Sequence, residues 1–470
     1  NNWRGIMLLD AASKLVSMII ANRLDRVLKE EGLEAQNGFT GGRGCSDGSF
    51  SLRQALKRRR EHGLESWVLF VDLVKAFDSV PRDVLWAVLA KFGIPPHLLG
   101  VIKRMHEGLL VSFEIGGEKV EVPNTAGVKQ GDNMAPLLFI FVMQACLETL
   151  GDTWPVGKLE FRTNTRTTGV NGGKVSGTDW TNKGEFSFEI WCSLYADDAG
   201  VMHSSRADLV AGAEAIDAHL KLFGLLMHVG RGGKRSKTEA VLFHKRHSRQ
   251  EDGDTSDITL PCGGTISFTP QFTYLGSMIH CSLSDSHDVA NRIRKASAAF
   301  GALRETIFGT KYVPLQAKAA LYSSGVLSVL LYGCESWCLT QKGMLTPLRN
   351  WHNKRIREMC RVTMHQVELY SITSVELQKR IGIWDLDYYV GRRTLQWVGH
   401  VARMDKSRLP RRLLTAWVRE PRPEFGQEMS YGRSLERWLK LFGLPLRYTE
   451  WATLAQDRAE WARLITRKRP

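Results

Sequence analysis

Long apolar runs are missing from this 470-residue chain, because no stretch approaches the roughly 20 consecutive apolar residues that cross a bilayer. The sequence therefore predicts a protein without a membrane partner. The first residues, Asn1-Asn2-Trp3-Arg4-Gly5, lack Met and are not a signal peptide, since no apolar stretch leads to a cleavage site of small residues. A start without Met is what we expect of a fragment.

Cysteines are few and widely spaced. The eight cysteines show no repeated tight spacing, which argues against a disulfide framework and favours a reducing, intracellular compartment. Four residues, Cys334, Cys338, His352 and Cys360, could in principle form a tetrahedral zinc site. The segment around Cys334 is apolar, however, and free cysteines commonly pack as small hydrophobic side chains, so we favour a structural role for them.

Internal repeats, long low-complexity tracts, an endonuclease signature and a Cys-Cys-His-Cys zinc knuckle are also missing from the sequence. Positive charge is abundant instead. The 64 Lys and Arg residues outnumber the 49 Asp and Glu residues, which gives a net charge of +15. This excess favours a polyanionic partner such as nucleic acid. The length predicts two or three packed units.

Residue spacing predicts a mixture of helices and strands in the first half of the chain. The predicted elements are helices at about 11–30, 55–61, 136–147 and 209–223, strands at 67–71 and 241–243, and hairpins at 111–122 and 190–203. The segment 151–184 is polar, rich in Gly and Thr and without clear periodicity. We expect it to be an insertion or a mobile loop.

The second half of the chain is predicted to be mostly helical. A hydrophilic run at 247–257 precedes a hairpin at 272–279 and helices at 288–304 and 314–330. Beyond Trp337 the sequence is basic and rich in tryptophan. These tryptophans could stack on bases, although such side chains more often pack in a core. The basic runs 57–60 and 467–469 could contact phosphates, and a solvated surface is an equally good explanation.

Three carboxylates are candidates for metal binding. Asp72 directly follows an apolar strand, and Asp197 and Asp198 lie at the turn of an apolar hairpin. Aspartates at turns often cap the local backbone. Unpaired buried charge is costly, however, and metal binding explains adjacent acids inside an apolar hairpin better than solvation does. Two divalent ions held by carboxylates can activate a 3′-hydroxyl and offset charge on a leaving pyrophosphate.

The sequence resembles the reverse transcriptase of non-LTR (LINE-type) retrotransposons along nearly its whole length. Each motif alone is weak, whereas the set in this order and spacing is specific. The motifs of the polymerase are Arg4-Gly5-Ile6-Met7-Leu8-Leu9, Gln36-Asn37-Gly38-Phe39 with Gly42-Arg43, Phe70-Val71-Asp72-Leu73-Val74-Lys75-Ala76-Phe77-Asp78, Gly127-Val128-Lys129-Gln130-Gly131-Asp132 with Pro136-Leu137-Leu138-Phe139, Tyr195-Ala196-Asp197-Asp198, Ser236-Lys237-Thr238-Glu239 and Tyr274-Leu275-Gly276. Two later segments of the chain resemble segments that lie downstream of the polymerase in this family. They are Leu331-Tyr332-Gly333 with Glu335-Ser336-Trp337, and Trp397-Val398-Gly399-His400-Val401-Ala402-Arg403-Met404.

The resemblance implies an α+β right-hand polymerase. Residues 1–245 would form the fingers and a palm with an antiparallel sheet, and residues 246–335 the primer grip and a helical thumb. Residues 336–470 would form a basic, Trp-rich helical region. The implied activity is RNA-directed DNA polymerisation with an RNA template, a DNA primer and dNTPs as partners. The implied location is the nucleus, with a ribonucleoprotein stage in the cytoplasm.

The resemblance also assigns roles to the acids and to one lysine. Asp72, Asp197 and Asp198 would be the catalytic ligands of two Mg²⁺ ions, with Mn²⁺ as a substitute ion. Lys237 would donate to the leaving pyrophosphate. A solvated surface lysine is the alternative reading of Lys237.

Three residues are implied to contact the incoming nucleotide. Phe77 would crowd a ribose 2′-hydroxyl and so select deoxynucleotides, although an aromatic side chain beside a strand is usually core. Gln130 and Gly131 would lie against the nucleotide, where glycine lets the backbone approach closely. A helix-entry turn is the alternative for this pair.

Further contacts are implied for the nucleic acid and for phosphates. Arg4 and Arg43 would bind phosphates, and Tyr274, Leu275 and Gly276 would form the primer grip. The loop before Arg43 departs from the family's usual Arg-Pro, because Thr40-Gly41 stands there, and residues 132–135 depart from the usual small residues.

Two other functions fit parts of the pattern. A catalytically inactive nucleic-acid-binding relic of a mobile element would keep the fold, but the intact acids and Lys237 argue against it. An RNA-templated RNA polymerase uses similar metal ions, but Phe77 and the Tyr195-Ala196 pair before the acids disfavour it.

Overall fold

The computed structural model describes residues 7–164, 185–246, 253–339, 343–418 and 430–466. The helices of the first half are α1 (Ala11–Glu31), α2 (Cys45–Glu61), α3 (Ala76–Ser79), α4 (Arg82–Lys91), α5 (Pro96–Arg104), α6 (Ala135–Asp152) and α7 (Arg206–Leu222). The strands are β1 (Ser66–Val71), β2 (Leu110–Ile115), β3 (Glu118–Pro123), β4 (Leu159–Asn164), β5 (Glu185–Ile190), β6 (Cys192–Tyr195), β7 (Asp198–His203), β8 (Glu239–Phe243), β9 (Ile258–Thr259), β10 (Thr265–Phe268), β11 (Gln271–Tyr274) and β12 (Ser277–His280).

The rest of the described chain is helical. Its elements are α8 (Ser286–Ala302), a π-helical turn (Arg304–Phe308), α9 (Leu315–Leu321), a second π-helical turn (Tyr322–Leu327), α10 (Ser328–Leu330), a 3₁₀ turn (Cys334–Ser336), α11 (Thr346–Met359), α12 (Met364–Leu369), α13 (Ser374–Ile381), α14 (Leu386–Arg403), α15 (Leu409–Thr415), α16 (Tyr431–Leu441), α17 (Tyr448–Leu454) and α18 (Arg458–Leu464). The mixture agrees with the predicted α+β class.

A six-stranded sheet with the order β6-β7-β1-β8-β10-β9 forms the centre of the first half. The antiparallel pairing that the sequence predicted holds between β6, β7, β1 and β8, whereas β10 runs parallel to β8. Strands β9 and β10 therefore extend the sheet to Phe268, beyond the predicted palm boundary at 245. Two short strands that follow a hydrophilic run gave too weak a periodicity to be assigned to the sheet.

Strand β1 is buried on both faces of this sheet, which explains its continuous apolar sequence. Trp67, Leu69 and Val71 face one core, which includes α4, α6 and α7. Val68 and Phe70 face a second core, which includes α2 and the β11–β12 hairpin. Since β1 is packed on both faces, Asp72, which directly follows it, lies at the edge of a rigid sheet.

Helix α6 is the one helix in the described ranges whose length and apolar composition would allow it to cross a bilayer, and 67% of it is buried inside the protein.

Part of the segment 151–184, which was predicted to be an insertion or a mobile loop, forms regular structure. Its described part contains β4, which pairs with β5 in antiparallel register from Leu159↔Ile190 to Asn164↔Glu185. Leu159 and Phe161 are buried and alternate with Glu160 and Arg162, which is the pattern of a half-buried strand. The surrounding Gly and Thr residues hid this alternation. Residues 165–184 lie outside the described part of the chain.

Candidate active site

A cavity of about 670 Å³ opens at the ends of β1 and the β6–β7 hairpin. The predicted site residues that line it are Asp72, Phe77, Gln130, Gly131, Asp197, Asp198 and Lys237. They come from four separate stretches of the sequence, so the fold brings together residues that the sequence could relate only through the order of its motifs.

The sheet register places the three acids next to one another. Val71 pairs with Ala199, and one step further along the two strands Asp72 follows β1 where Asp198 begins β7. Tyr195 pairs with Asp198, so Ala196 and Asp197 form the two-residue turn of the β6–β7 hairpin. Asp198 is exposed, and Asp72 and Asp197 are half-buried. All three carboxylates can therefore be reached from the cavity.

The chemistry of this group fits a hard divalent cation, because carboxylate oxygens are the ligands that Mg²⁺ prefers. Within the described ranges, no three His, Cys, Asp or Glu side chains are already spaced as ligands of one ion. A cation would draw the acids together, since it offsets the repulsion between their negative charges.

The backbone of Asp72 is fixed by the chain on the β8 side of β1. The Asp72 amide donates to Oγ1 of Thr238 (3.1 Å), and the amide of His228 donates to the Asp72 carbonyl (2.8 Å). Lys237 precedes Thr238, is exposed and lines the cavity. Thr238 therefore connects the first acid to the lysine. Thr238 belongs to the motif Ser236-Lys237-Thr238-Glu239, in which the sequence pattern indicates no role for it.

Phe77 forms part of the floor of the cavity. Its ring stacks on Phe139 of α6 with ring centroids 4.6 Å apart and an interplanar angle of 25°. The side chain is half-buried, so one face belongs to the core while the remainder reaches the cavity. The two readings of Phe77 that the sequence allowed are thus compatible.

The turn before α6 lies directly against α3. Gln130 donates from Nε2 to Oδ1 of Asp78 (3.0 Å), and Gly131 has φ of +105°, which favours glycine. Gly127 also needs its glycine, because its φ is +74° and an added Cβ would lie 2.6 Å from the Asp78 carbonyl oxygen. These contacts hold Gln130 and Gly131 at the cavity wall.

Arg4, one of the two arginines predicted to bind phosphate, lies outside the described residues. Arg43, the other, does not line this cavity. Nη1 of Arg43 donates to the carbonyls of Leu33, Glu34 and Gln36 at 2.9 Å each, and Nη2 pairs with the Glu34 carboxylate at 2.9 Å. The phosphate contact of Arg43 stays a prediction. The guanidinium thus stabilises the loop that precedes it. Its hydrogen-bond partners are backbone carbonyls, which a sequence motif does not reveal.

The predicted primer grip is the tip of the β11–β12 hairpin, and it also lies outside the cavity lining. Leu275 and Gly276 have φ of +47° and +76°, as a two-residue hairpin turn requires. The Tyr274 side chain is buried, and its hydroxyl donates to the Ser193 carbonyl of β6 (2.8 Å). Leu275 is also buried, and the role of this turn as a primer grip stays a prediction. Tyr274 instead ties the hairpin to β6, which leads into the turn at Asp197.

The basic run 57–60 is neither a phosphate-binding surface nor a solvated one. Lys57 pairs with Asp285 (2.6 Å), Arg58 with Glu61 (3.2 Å), and Arg59 donates to Ser66 Oγ (2.9 Å). Lys57, Arg58 and Arg59 are buried, because α2 lies between the sheet and the helices that follow it. The other run, 467–469, lies outside the described residues.

The candidate zinc ligands and five of the tryptophans beyond residue 337 are buried. Trp351, Trp397, Trp438, Trp451 and Trp461 are buried in one hydrophobic core of the C-terminal helices.

His352, the only histidine among the candidate zinc ligands, uses both ring nitrogens. Nδ1 lies 2.8 Å from the Tyr322 hydroxyl and Nε2 2.9 Å from the Trp384 carbonyl. Cys334, Cys338 and Cys360 are buried in the same region, and burial raises the pKa of the Cys334 and Cys338 thiols. The region therefore holds neutral thiols and a hydrogen-bonded imidazole.

Comparison with known proteins gives one family over more than half of the chain. Residues 1–279 match the model of the family described as "Reverse transcriptase (RNA-dependent DNA polymerase)".

Two curated relatives come from retrotransposable elements of Drosophila melanogaster. The Pol polyprotein of the type-2 retrotransposable element R2DM is 29% identical over 151 residues, which is 32% of this chain and 14% of that protein. The protein named "Probable RNA-directed DNA polymerase from transposon BS" is 23% identical over 88% of this chain and 42% of its own length. The chain thus spans less than half of either relative.

Among solved structures, apo telomerase from Candida tropicalis is similar with a TM-score of 0.40 and 11% identity. The match covers 86% of this chain and 62% of that one.

Proposed function

The chain belongs to the reverse transcriptase (RNA-dependent DNA polymerase) family, and from this premise we propose that it extends a DNA primer along an RNA template with deoxynucleotides. The family membership confirms the resemblance predicted from the sequence, and the α+β right-hand polymerase class is that of the family. The observation that carries the proposed activity is the meeting of Asp72, Asp197, Asp198 and Lys237 at one cavity.

Reverse transcriptases generally use divalent metal ions. In this proposal Asp72, Asp197 and Asp198 hold two Mg²⁺ ions, for which Mn²⁺ can substitute. Such ions lower the pKa of a 3′-hydroxyl and stabilise negative charge on phosphate oxygens. The rigid strand β1 and the short β6–β7 turn keep the acids at one edge of the sheet.

The remaining lining residues act on the nucleotide in this proposal. Lys237 donates a charge-assisted hydrogen bond to the leaving pyrophosphate, for which its exposed position at the cavity is suited. Phe77 crowds the ribose 2′-hydroxyl, and the Gln130-Gly131 turn lies against the nucleotide. The net charge of +15 supports RNA and DNA as partners. The proposed location is the nucleus, with a cytoplasmic ribonucleoprotein stage.

The test is extension of a DNA primer on an RNA template with Mg²⁺, with dNTPs or rNTPs supplied separately. We expect extension with dNTPs, and we expect Asp197→Asn to reduce it by about a hundredfold or more, because a lost metal site removes several kcal/mol of transition-state stabilisation. Asp83→Asn changes an exposed acid of α4 in the same way, does not touch the cavity and should leave the rate unchanged.

Two results would contradict the proposal, and each points to one of the alternatives. Extension with rNTPs as efficient as with dNTPs would indicate an RNA polymerase. Tight binding of the template-primer, measured by fluorescence anisotropy, without any extension would indicate an inactive relic.

A further inference from the structure

The turn that carries Asp197 has an uncommon backbone conformation. Ala196 has φ of +55°, in the left-handed region that residues other than glycine rarely adopt. It is also buried, with 2% of its surface exposed. Since Ala196 lies between Tyr195 and Asp197, its conformation decides the direction in which the Asp197 carboxylate leaves the hairpin.

The side chain of Gln36, from a loop distant in sequence, forms hydrogen bonds with both the amide and the carbonyl of Ala196. Oε1 of Gln36 accepts a hydrogen bond from the Ala196 amide (2.7 Å), and Nε2 of Gln36 donates to the Ala196 carbonyl (3.4 Å). The same Oε1 accepts from the amide of Gly38 (2.8 Å). Gln36 is 5% exposed, so water does not compete for these bonds.

The loop that carries Gln36 is itself fixed to the hairpin. The Asn37 amide donates to the Leu194 carbonyl (2.9 Å), and the Leu194 amide donates to Ala35 (3.0 Å). Gly38 packs so closely that an added Cβ would lie 2.5 Å from the Ala196 nitrogen. Arg43 donates to the Gln36 carbonyl, which gives this arginine a role in the same assembly. The amide of Gln36 is therefore held at a set distance from the turn.

We propose that Gln36 is a positioning residue for the metal-binding acids. It holds Ala196 in the left-handed conformation, and thereby keeps Asp197 and Asp198 directed towards the same cavity as Asp72. This inference rests on the proposed function, because it assumes that these acids bind divalent ions. Gln36 thus affects the geometry of the site through Ala196 and does not itself line the cavity.

The test measures metal binding without turnover, on the full chain. Mn²⁺ is titrated into the protein, and the free ion is followed by its electron paramagnetic resonance signal. Loss of a residue that orients metal ligands typically lowers affinity by ten- to a hundredfold. We expect Gln36→Ala to weaken Mn²⁺ binding by about tenfold, and to raise the Mg²⁺ concentration for half-maximal primer extension by a similar factor.

Gln144→Ala is the matched control. Gln144 is also a buried glutamine that donates to a backbone carbonyl, that of Glu31, but it lies on α6 and does not line the cavity. Its replacement should lower thermal stability without changing Mn²⁺ affinity. A purely structural Gln36 would behave in the same way as Gln144.

Two further variants keep the test decisive if Gln36→Ala folds poorly. Gln36→Glu keeps the oxygen that accepts from Ala196 but places negative charge beside the Ala196 carbonyl, so it should weaken Mn²⁺ binding less than Gln36→Ala does. Ala196→Gly in the Gln36→Ala background should recover part of the affinity, because glycine adopts a positive φ readily.

The inference is overturned if Gln36→Ala and Gln36→Glu bind Mn²⁺ as tightly as the unchanged chain. If the unchanged chain itself neither binds Mn²⁺ nor extends a primer, the proposed function fails, and the inference fails with it. The two failures are distinguishable by the unchanged chain. It still binds Mn²⁺ and extends a primer if only the inference about Gln36 fails, and it does neither if the proposed function fails.

Discussion

At the scale of single residues, Phe77 belongs to two environments, since it stacks on Phe139 and also lines the cavity. If its exposed edge crowds the sugar, Phe77→Ala will admit a 2′-hydroxyl. We expect the ratio of ribonucleotide to deoxynucleotide incorporation to rise at least about tenfold, as is usual when a steric contact in a binding pocket is removed. Single-nucleotide extension with matched rNTP and dNTP concentrations measures this ratio.

Phe139→Ala separates that effect from the loss of core packing. Phe139 is fully buried and does not line the cavity, so its replacement should cost about 3–5 kcal/mol of stability without changing sugar selection. An unchanged ratio in Phe77→Ala would leave Phe77 with a packing role alone.

The sequence predicted individual site residues best where an unusual side chain occurs within a recognisable strand or turn. Asp72, Asp197 and Asp198 could be recognised because acids beside apolar strand residues are unusual. The family resemblance predicts a phosphate contact for Arg43 but does not reveal the three carbonyls to which it donates, because these become neighbours only when the loop folds. For the same reason Gln36 received no role, since its partner Ala196 is 160 residues away in sequence.

At the scale of elements, α2 is joined to α8 and the segment after it by a buried ionic network. Arg53 pairs with Asp285 and Asp288, and Lys57 pairs with Asp285. Asp285 also accepts from the amide of Cys338 (2.7 Å). The network thus links the basic helix of the first half to the helices of the second half, which is why α2 is basic and still buried.

Removing Asp285 would take away the acidic partner of buried Lys57 and one of the two acidic partners of buried Arg53. We expect Asp285→Ala to reduce the free energy of unfolding by about 3–5 kcal/mol, measured by urea denaturation. Glu121→Ala removes one acid from the exposed pair with Lys119 on the β2–β3 hairpin, and it should change stability by less than about 1 kcal/mol. Equal effects of the two substitutions would show that the buried network is not a source of stability.

The prediction of elements succeeded where periodicity was strong. Helix α1, strand β1, the β2–β3 hairpin and helix α7 lie where the spacing of apolar residues placed them. Strands β9 and β10 were missed because a strand of two to four residues is too short for alternation to be recognised. The burial of Lys57 in the basic run of α2 could not be predicted either, since its partner Asp285 lies 228 residues further along the chain.

At the scale of the whole molecule, two buried histidines make stability depend on pH. Burial lowers the pKa of His203 and of His352 to about 4. In the part of the chain that the structure describes, neither ring nitrogen of His203 has a hydrogen-bond partner. His352 donates from Nε2 to the Trp384 carbonyl and accepts at Nδ1 from Tyr322, which requires the neutral ring. Both histidines are therefore uncharged in the folded protein.

An unfolded histidine has a pKa of about 6.5, so between pH 6.5 and about 4 the unfolded chain binds protons that the folded chain does not. Stability should therefore fall as the pH falls through this window, and these two groups add no further loss below it. The loss between pH 7 and pH 5 should be on the order of a few kcal/mol, because each pH unit across the window corresponds to about 1.4 kcal/mol per histidine. Urea denaturation at both pH values measures it.

His203→Leu removes one of the two groups and should make the pH dependence shallower, whereas His365→Gln, at an exposed position, should not. An unchanged slope in His203→Leu would mean that His203 titrates normally in the folded protein and that its burial does not set the acid limit of stability.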